Sequence, residues 1–351
     1  MVPSVPADAV YSVGVDARRP IIALLTGGDE PLPHNLAAIE ECADVRVCRA
    51  DTLADALVGA DIVMVWDFFS AALKDSWGPS TAELRWVHVC ATGVDSLLFD
   101  GLRQSRVVLT NAAGVFDRPI AEFVLASILA HDKRIHESKS FQREHLWRHR
   151  ETLRTCDNNV LVIGTGGIGR AIARLLSAVG MAVSGAGRTA RTEDPDFGVV
   201  YPSDDLAAYV GDADVVIAVA PLTPQTEQMI DAEVLAAMRP SAHFINVGRG
   251  QLVDEQALVD ALSSSSIGAA SLDVFATEPL PVDHPLWEMS NVCISPHMSG
   301  DAVGWREELA DRFLENLRRY VAAGGADATP AELTGALVTV VDKLKGYSAR
   351  S

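Results

Sequence analysis

A rhythm of short apolar runs and helix-length stretches passes twice along this chain. From Pro20, short apolar and β-branched runs at residues 21–25 (IIALL), 45–48 (VRVC), 62–66 (IVMVW), 86–89 (WVHV) and 107–110 (VVLT) alternate with amphipathic stretches. Apolar runs spaced by helix-length segments are what βαβ units and a parallel sheet require. From about Asp117 to Glu144 no glycine occurs, and Pro119 falls where a first helical turn tolerates it, so the stretch reads as one long helix. The rhythm restarts at Asn159 with VLVIG, MAVSG, DVVIAVA, HFINVG, AASLDV and VCIS. An α/β fold of two doubly wound, parallel-sheet (Rossmann-like) domains with a cleft between them is the economical reading, and 351 residues suit two domains. An amphipathic helix from Asp301 to Ala323 follows the last strand, with a tail beyond it. Because the sheet ends cleanly at VCIS, that helix is free to cross back. The expected division is residues 1–112 plus 301–351 for a discontinuous substrate-binding domain and 113–300 for a dinucleotide-binding domain.

Charge narrows the partners. Asp plus Glu number 47 against 29 for Lys plus Arg, a net charge of -18, and such a surface repels nucleic-acid backbones and anionic lipid. Any anionic ligand must then be held by a few local donors. Five cysteines with no CxxC spacing argue against a disulfide framework or zinc knuckle and for a reducing cytoplasm. The first nineteen residues lack the basic start and apolar core of a leader, and no apolar run approaches the roughly 18 residues of a membrane span. His145 and His149, four apart, would share a helix face as metal ligands do, but no third ligand is evident and a solvated face is expected.

VLVIGTGGIGRAIARLL places Gly164, Gly166 and Gly169 in GxGxxG spacing between a strand and a helix, with Thr165, Gly167 and Ile168 completing the turn. Gly164 suits a tight turn, Gly166 the approach of a pyrophosphate, and Gly169 close helix packing. The helix N-terminus adds N–H donors and partial positive charge. An NAD-preferring site usually carries an acid at the end of the next strand. Here that strand is followed by Gly187, Arg188, Thr189, Ala190 and Arg191, without a carboxylate. Arg188 and Arg191 offer charge and donor forks to a 2'-phosphate, so NADP(H) is the preferred cofactor and NAD(H) the alternative. The bland alternative is a pair of solvated loop arginines.

INVGRGQLVDE with Arg249, SLDVFATEPLP with Asp273 and Glu278, and ISPHMSG with His297 stand where later strands end, the edge at which open α/β sheets bind ligands. With VCATGVDSL at 89–97, NAAGVFDRPIAEFVLASILA at 111–130 and PLTPQTEQMI at 221–230, they resemble the D-isomer-specific 2-hydroxyacid dehydrogenase family in order and spacing from about Arg85 to Gly300. The resemblance implies NAD(P)-dependent, reversible reduction of a small 2-keto acid to a D-2-hydroxy acid. It implies His297 as proton carrier, Glu278 as the carboxylate that holds the ring and raises its pKa, and Arg249 as binder of the substrate carboxylate and carbonyl. By the same likeness, Pro221, Thr226, Val247, Gly248, Asp273, Ser299 and Gly300 would line the cofactor, Asp273 near the carboxamide, while the backbone at Gly93 and Val94 would cradle the carboxylate. Taken singly, each has a plain alternative as a turn, loop or core residue.

The bulky loop Trp66, Asp67, Phe68, Phe69 could cap the substrate side chain, with Trp66 and Phe68 as its contacts. The pattern leans toward the glyoxylate/hydroxypyruvate reductase branch. A phosphorylated substrate is disfavoured because that loop lacks basic residues and the tail is short for a regulatory domain. Glu278 speaks against formate dehydrogenase chemistry, in which Gln pairs with the histidine. A nucleotide-sensing corepressor-like binding protein is the runner-up. The likeness also implies hinges near 111–117 and 298–302, and a homodimer, with the apolar stripe from Ile120 to Leu129 as packing.

Overall fold

The computed structural model describes residues 18–28 and 30–348; the reading of the first residues as lacking a leader falls largely outside them. The chain divides into two compact units, one containing residues up to Val115 and from Gly304 on, the other Phe116–Val303.

In the first unit the expected runs are all strands: β1 (Ile21–Leu25), β2 (Asp44–Cys48), β3 (Ile62–Val65), β4 (Trp86–Val89) and β5 (Val108–Thr110). Short helices lie between them, α1 (Leu36–Cys42), α2 (Leu53–Leu57), α3 (Ala72–Asp75) and α4 (Asp100–Gln104). The sheet order is β2-β1-β3-β4-β5, every pair parallel, the flavodoxin-like doubly wound order. β3 and β4 are buried along their length, whereas the edge strand β2 is exposed at three of its five residues, as an edge strand can be.

The second unit opens on a helix that is broken where the sequence predicts one continuous run. The stretch from Asp117 is two helices, α5 (Asp117–Asp132) and α6 (Ile135–Arg143), separated at Arg134, whose φ is +53°. The break has a tertiary cause: the Asp132 carbonyl accepts from the Leu153 N–H at 3.0 Å, and its buried carboxylate accepts from Asn158 Nδ2 at 2.9 Å. Long-range acceptors thus end a helix that local propensity would continue. His145 and His149 lie past the end of α6, so they share no helix face.

Next come β6 (Asn159–Ile163), α7 (Gly167–Ala178), β7 (Ala182–Gly187), β8 (Arg191–Asp194), β9 (Gly198–Pro202), β10 (Val215–Ala218), α8 (Ala232–Ala237), β11 (His243–Asn246), α9 (Glu255–Ser263), β12 (Ala269–Leu272) and β13 (Val292–Ile294). They form a sheet in the order β13-β12-β11-β10-β6-β7-β9-β8, parallel except for the β8–β9 hairpin. That hairpin is absent from the sequence reading, because its DPDFG turn looks like loop. Strand order reverses at β6, between β10 and β7, which is where a doubly wound sheet opens its ligand crevice. The strands β6, β10, β11 and β12 are almost entirely buried, and Val216, Phe244 and Leu258 belong to one continuous core.

The chain then returns to the first unit. The helix α10 (Trp305–Ala322) starts later than the sequence suggests and packs Phe313 and Tyr320 on Trp86 of β4, ring centroids 5.2 and 5.6 Å apart and nearly parallel. The segment read as a tail is folded: α11 (Pro330–Ala336) carries a capping box between Thr329 and Glu332, and β14 (Val341–Asp342) pairs with β15 (Tyr347–Ser348). Val340 bridges to Thr110, and Lys343 Nζ donates to the carbonyls of Leu102, Ser105 and Val107 at 2.8–3.0 Å.

Candidate active site

Three adjacent strands of the second sheet supply three chemical groups, each from the loop at the strand's C-terminal end. Arg249 follows β11, Glu278 follows β12 and His297 follows β13. His297 Nδ1 lies 2.7 Å from Glu278 Oε2, and both side chains are about one third exposed. A carboxylate only accepts, so Nδ1 carries the hydrogen of this bond and Nε2 is the other, proton-exchanging nitrogen. Glu278 Oε1 accepts from the Phe275 N–H at 2.9 Å. Burial pushes the Glu278 carboxyl up, but the His297 bond, the Phe275 N–H and the charges of His297 and Arg249 together hold it below the ordinary carboxylate value.

The loops are fixed by buried polar residues. Asn246, the last residue of β11, donates Nδ2 to the Arg249 carbonyl at 2.9 Å and accepts from the Gly248 N–H at 3.1 Å, closing the turn that presents the arginine. Arg249 also donates to the Gly248 carbonyl at 2.8 Å. Asp273 is 1% exposed, and its carboxylate accepts from the N–H groups of Met298 and Ser299 at 2.9 and 3.0 Å, while its carbonyl accepts from the His297 N–H at 2.8 Å. These bonds hold His297 at φ +53°, a left-handed conformation that costs a non-glycine residue about 1–2 kcal/mol. Gly300 is packed so closely that a Cβ would lie 2.7 Å from the Phe116 ring. A Cβ on Gly248 would likewise meet Leu252 at 2.8 Å, and Val247 is buried beside it. In the 221–230 segment the Thr226 hydroxyl donates to the Pro221 carbonyl at 2.7 Å and ties the loop shut.

The glycine fingerprint divides into packing and open positions. A Cβ on Gly164 would lie 2.7 Å from the backbone of Val219 and Ala220, and one on Gly169 would lie 1.9 Å from the Gly164 carbonyl oxygen, whereas one on Gly166 would meet nothing within 4 Å. Gly164 and Gly169 hold strand and helix together, and room remains over Gly166 at the N-terminus of α7, which has no side-chain cap. Thr165, Gly167 and Ile168, partly exposed, border that room. These residues fit a pyrophosphate.

The two arginines after β7 differ in their surroundings. The end of β7 lacks an acid, as expected, but the β8–β9 hairpin folds one back: Asp194, buried, accepts from Arg191 Nε at 3.1 Å and from both terminal nitrogens of Arg170 at 3.0 Å. Arg170 also reaches Asp196, which Arg174 grips with two bonds. Arg191 is therefore paired, with its other end 3.3 Å from the Thr165 hydroxyl. Arg188 sits in the turn after β7. Asn246, Asp194 and Arg170 escaped the sequence reading; only Asn246, the polar residue that closes the apolar run of β11, carried a hint.

The remaining sites lie in the first unit. Gly93 and Val94 follow β4, with Val94 buried. Trp66 is 4% exposed and donates its indole N–H to the Pro31 carbonyl at 2.9 Å, so it supports the loop from within. Phe69 is exposed, and Phe68 packs edge-on to Trp305. Among the described residues no group of three or more His, Cys, Asp or Glu could hold a metal, and no helix is long and apolar enough to cross a membrane.

Residues 125–299 match the NAD binding domain of the D-isomer specific 2-hydroxyacid dehydrogenases. A glyoxylate reductase of Thermococcus onnurineus is 32% identical over 271 residues, 74% of this chain and 79% of that one. A D-isomer specific 2-hydroxyacid dehydrogenase of Xanthobacter autotrophicus Py2, solved with NADPH and MES, has a TM-score of 0.77 at 30% identity and covers 94% of this chain and 100% of its own. An NADPH-dependent glyoxylate/hydroxypyruvate reductase of Sinorhizobium meliloti, solved with NADP and sulfate, gives 0.77 at 27% identity with the same coverage. The chain spans 56% of the D-3-phosphoglycerate dehydrogenase of Mycobacterium tuberculosis, to which it is 32% identical over 302 residues. The chain belongs to the D-isomer specific 2-hydroxyacid dehydrogenase family. It is an oxidoreductase of the NAD(P)-dependent kind.

Proposed function

We propose that the protein reduces a small 2-keto acid to the D-2-hydroxy acid, with NADPH preferred and NADH accepted. The observation that carries this reading is the 2.7 Å His297–Glu278 pair beside Arg249 on neighbouring strand ends. The bound nicotinamide supplies the hydride. Arg249 binds the substrate carboxylate and polarises the carbonyl, where its fixed charge is worth most as negative charge builds on oxygen. His297 Nε2 gives its proton to that oxygen, and Glu278 steadies the imidazolium before transfer and the correct tautomer after it. Oxidation of the hydroxy acid runs the same steps backwards. Gly166 and the α7 N-terminus take the pyrophosphate, with Ser299 and Gly300 on the nicotinamide side.

Preference for NADPH rests on Arg188 and Arg191. Asp194 divides its carboxylate between Arg191 and Arg170, and Arg191 keeps a terminal nitrogen directed at the Thr165 hydroxyl of the glycine turn. A homodimer is supported by Leu129, Ile135, Leu146, Trp147 and Leu153, large apolar side chains exposed in one stretch, Trp147 fully so. A cytoplasmic setting fits its free cysteines.

The test is NADPH and NADH oxidation by the purified protein against 2-keto acids from glyoxylate to phenylpyruvate. Turnover, faster with NADPH, is the expected result; cofactor binding with no turnover across the panel would shift the reading to a nucleotide sensor. Arg188→Ala should weaken NADPH at least about tenfold more than NADH, the scale of one charge-assisted bond. Equal losses for both cofactors would remove the 2'-phosphate assignment.

A further inference from the structure

We propose that the first unit carries a second small-molecule site, for an organic carboxylate with an apolar body, at the edge of its sheet opposite the strand ends that carry the Gly93 loop. A cavity of about 310 Å³ opens there, lined by Trp77, Thr81, Arg85, Ser105, Arg106 and Leu333 among others. Arg85 immediately precedes β4 and Arg106 lies just before β5, so the cavity sits at the N-terminal ends of the strands. Substrates of open α/β sheets bind at the C-terminal ends, which sets this cavity apart from the proposed reaction site.

Its chemistry is unusual for a chain of net charge -18. The two arginines line the cavity, no carboxylate does, and neither guanidinium has a carboxylate or carbonyl partner among the described residues. Behind Ser105 and Val107 a third cation, Lys343, is pinned by its bonds to carbonyls. Glu332 of the adjoining helix keeps its charge but directs its carboxylate to its own cap, accepting from the Thr329 N–H and hydroxyl at 2.7 Å each. Two guanidinium groups in a lining that holds no carboxylate are the donors that an organic anion needs.

The rest of the wall is apolar and ordered. Trp77 is held edge-on against Phe99 with centroids 5.2 Å apart, and it lies so close over Gly101 that a Cβ there would be 2.6 Å from the indole. Leu84, Pro330 and Leu333 complete this face. Apolar walls with a few convergent donors are the pattern of small-ligand sites, and this volume, at about 30 Å³ per water displaced, suits a ligand of roughly ten heavy atoms. A flat aromatic acid satisfies both halves, its carboxylate between the arginines and its ring against Trp77.

Calorimetric titration of phenylacetate into the full chain tests this, with inorganic phosphate as the bare-anion probe. One saturable phenylacetate site is expected, weakened at least about tenfold in R85Q/R106Q and blocked by Ala82→Trp, a substitution from an exposed position on the same wall. Both variants should keep the far-ultraviolet spectrum and the keto-acid turnover of the parent. Because phenylacetate is itself a carboxylate, Arg249→Gln is the control for binding at the reaction site: it should leave this isotherm unchanged. Loss of binding in Arg249→Gln, unchanged binding in R85Q/R106Q, no saturation by about 10 mM, the weak limit for a specific small-ligand site, or phosphate binding as tightly as phenylacetate would each overturn the proposal.

Discussion

Asp273 holds the backbone of the histidine loop with its carboxylate, and that decides how the loop responds to substitution. Because the frame is tied through N–H groups of residues 297–299, His297→Gln should leave NADPH affinity within about twofold while turnover falls by about 10²–10⁴, the usual worth of a positioned proton carrier. Unchanged turnover would dismiss His297 from that role. Asp273→Asn exchanges one acceptor oxygen for a donor amide facing an N–H, so the loop should loosen. We expect a lower kcat and a flattened pH profile with NADPH binding retained, measured by steady-state kinetics and cofactor fluorescence. Glu278 bears on acid stability in a defined direction. Its carboxyl is held below the ordinary value, so its contribution to stability is present above the unfolded-state pKa and is lost as pH falls through the lower, folded one. His297, Glu278 and Arg249 were legible in the sequence because each stands in a short local motif. Asn246 and Asp194 were not, since their meaning lies in atoms that only folding brings near.

At the scale of elements, spacing between neighbouring loops is set by contacts that admit no side chain. Gly250 opens the one-turn helix after Arg249, and a Cβ there would lie 1.8 Å from the Phe275 carbonyl carbon, on the loop that carries Glu278. Gly250→Ala should therefore lower stability by several kcal/mol, about 3 or more by analogy with overpacked cores; a thermal midpoint within a degree or two of the parent would contradict this packing. The strands were readable from composition because those of a covered parallel sheet are continuous apolar runs. The β8–β9 hairpin and the break at Arg134 were not, because ion pairs to α7 and the capture of the Asp132 carbonyl by Leu153 create them. Trp147 offers a simple check on assembly: Trp147→Ser should shift a dimer toward monomer in light scattering, and an unchanged mass would place the interface elsewhere.

For the molecule as a whole, two histidines are buried at the heart of the sheets. His88 in β4 and His243 in β11 are essentially inaccessible, and burial, reinforced by nearby positive groups, pushes both down to about 3. His88 Nδ1 meets the Thr110 hydroxyl and His243 Nε2 the Ser271 hydroxyl, while the second nitrogen of each ring has no partner. Folded, they stay neutral; unfolded, they take up protons below about 6.5. The unfolded chain thus binds more protons between those values, and stability must fall as pH drops through that window, by up to about 1.4 kcal/mol per pH unit for each histidine. Urea midpoints measured between pH 6.5 and 5, above most carboxylate titrations, should show this slope, and His243→Gln should reduce it. A slope unaltered by that substitution would assign the acid sensitivity to other groups.

The return of the chain to its first sheet also orders events in time. Residues 116–303 are contiguous, and their sheet is complete before Gly304 is made, but β4 of the first unit waits for Phe313 and Tyr320 to cover Trp86. At ribosomal speeds of about 5–20 residues per second, that wait lasts on the order of ten seconds. During it the earliest strands emerge with an indole and a half-built core uncovered. The nascent chain should therefore depend on chaperone shelter for its beginning rather than its middle, and a stall near residue 300 should leave a folded nucleotide-binding unit tethered to an unfinished one.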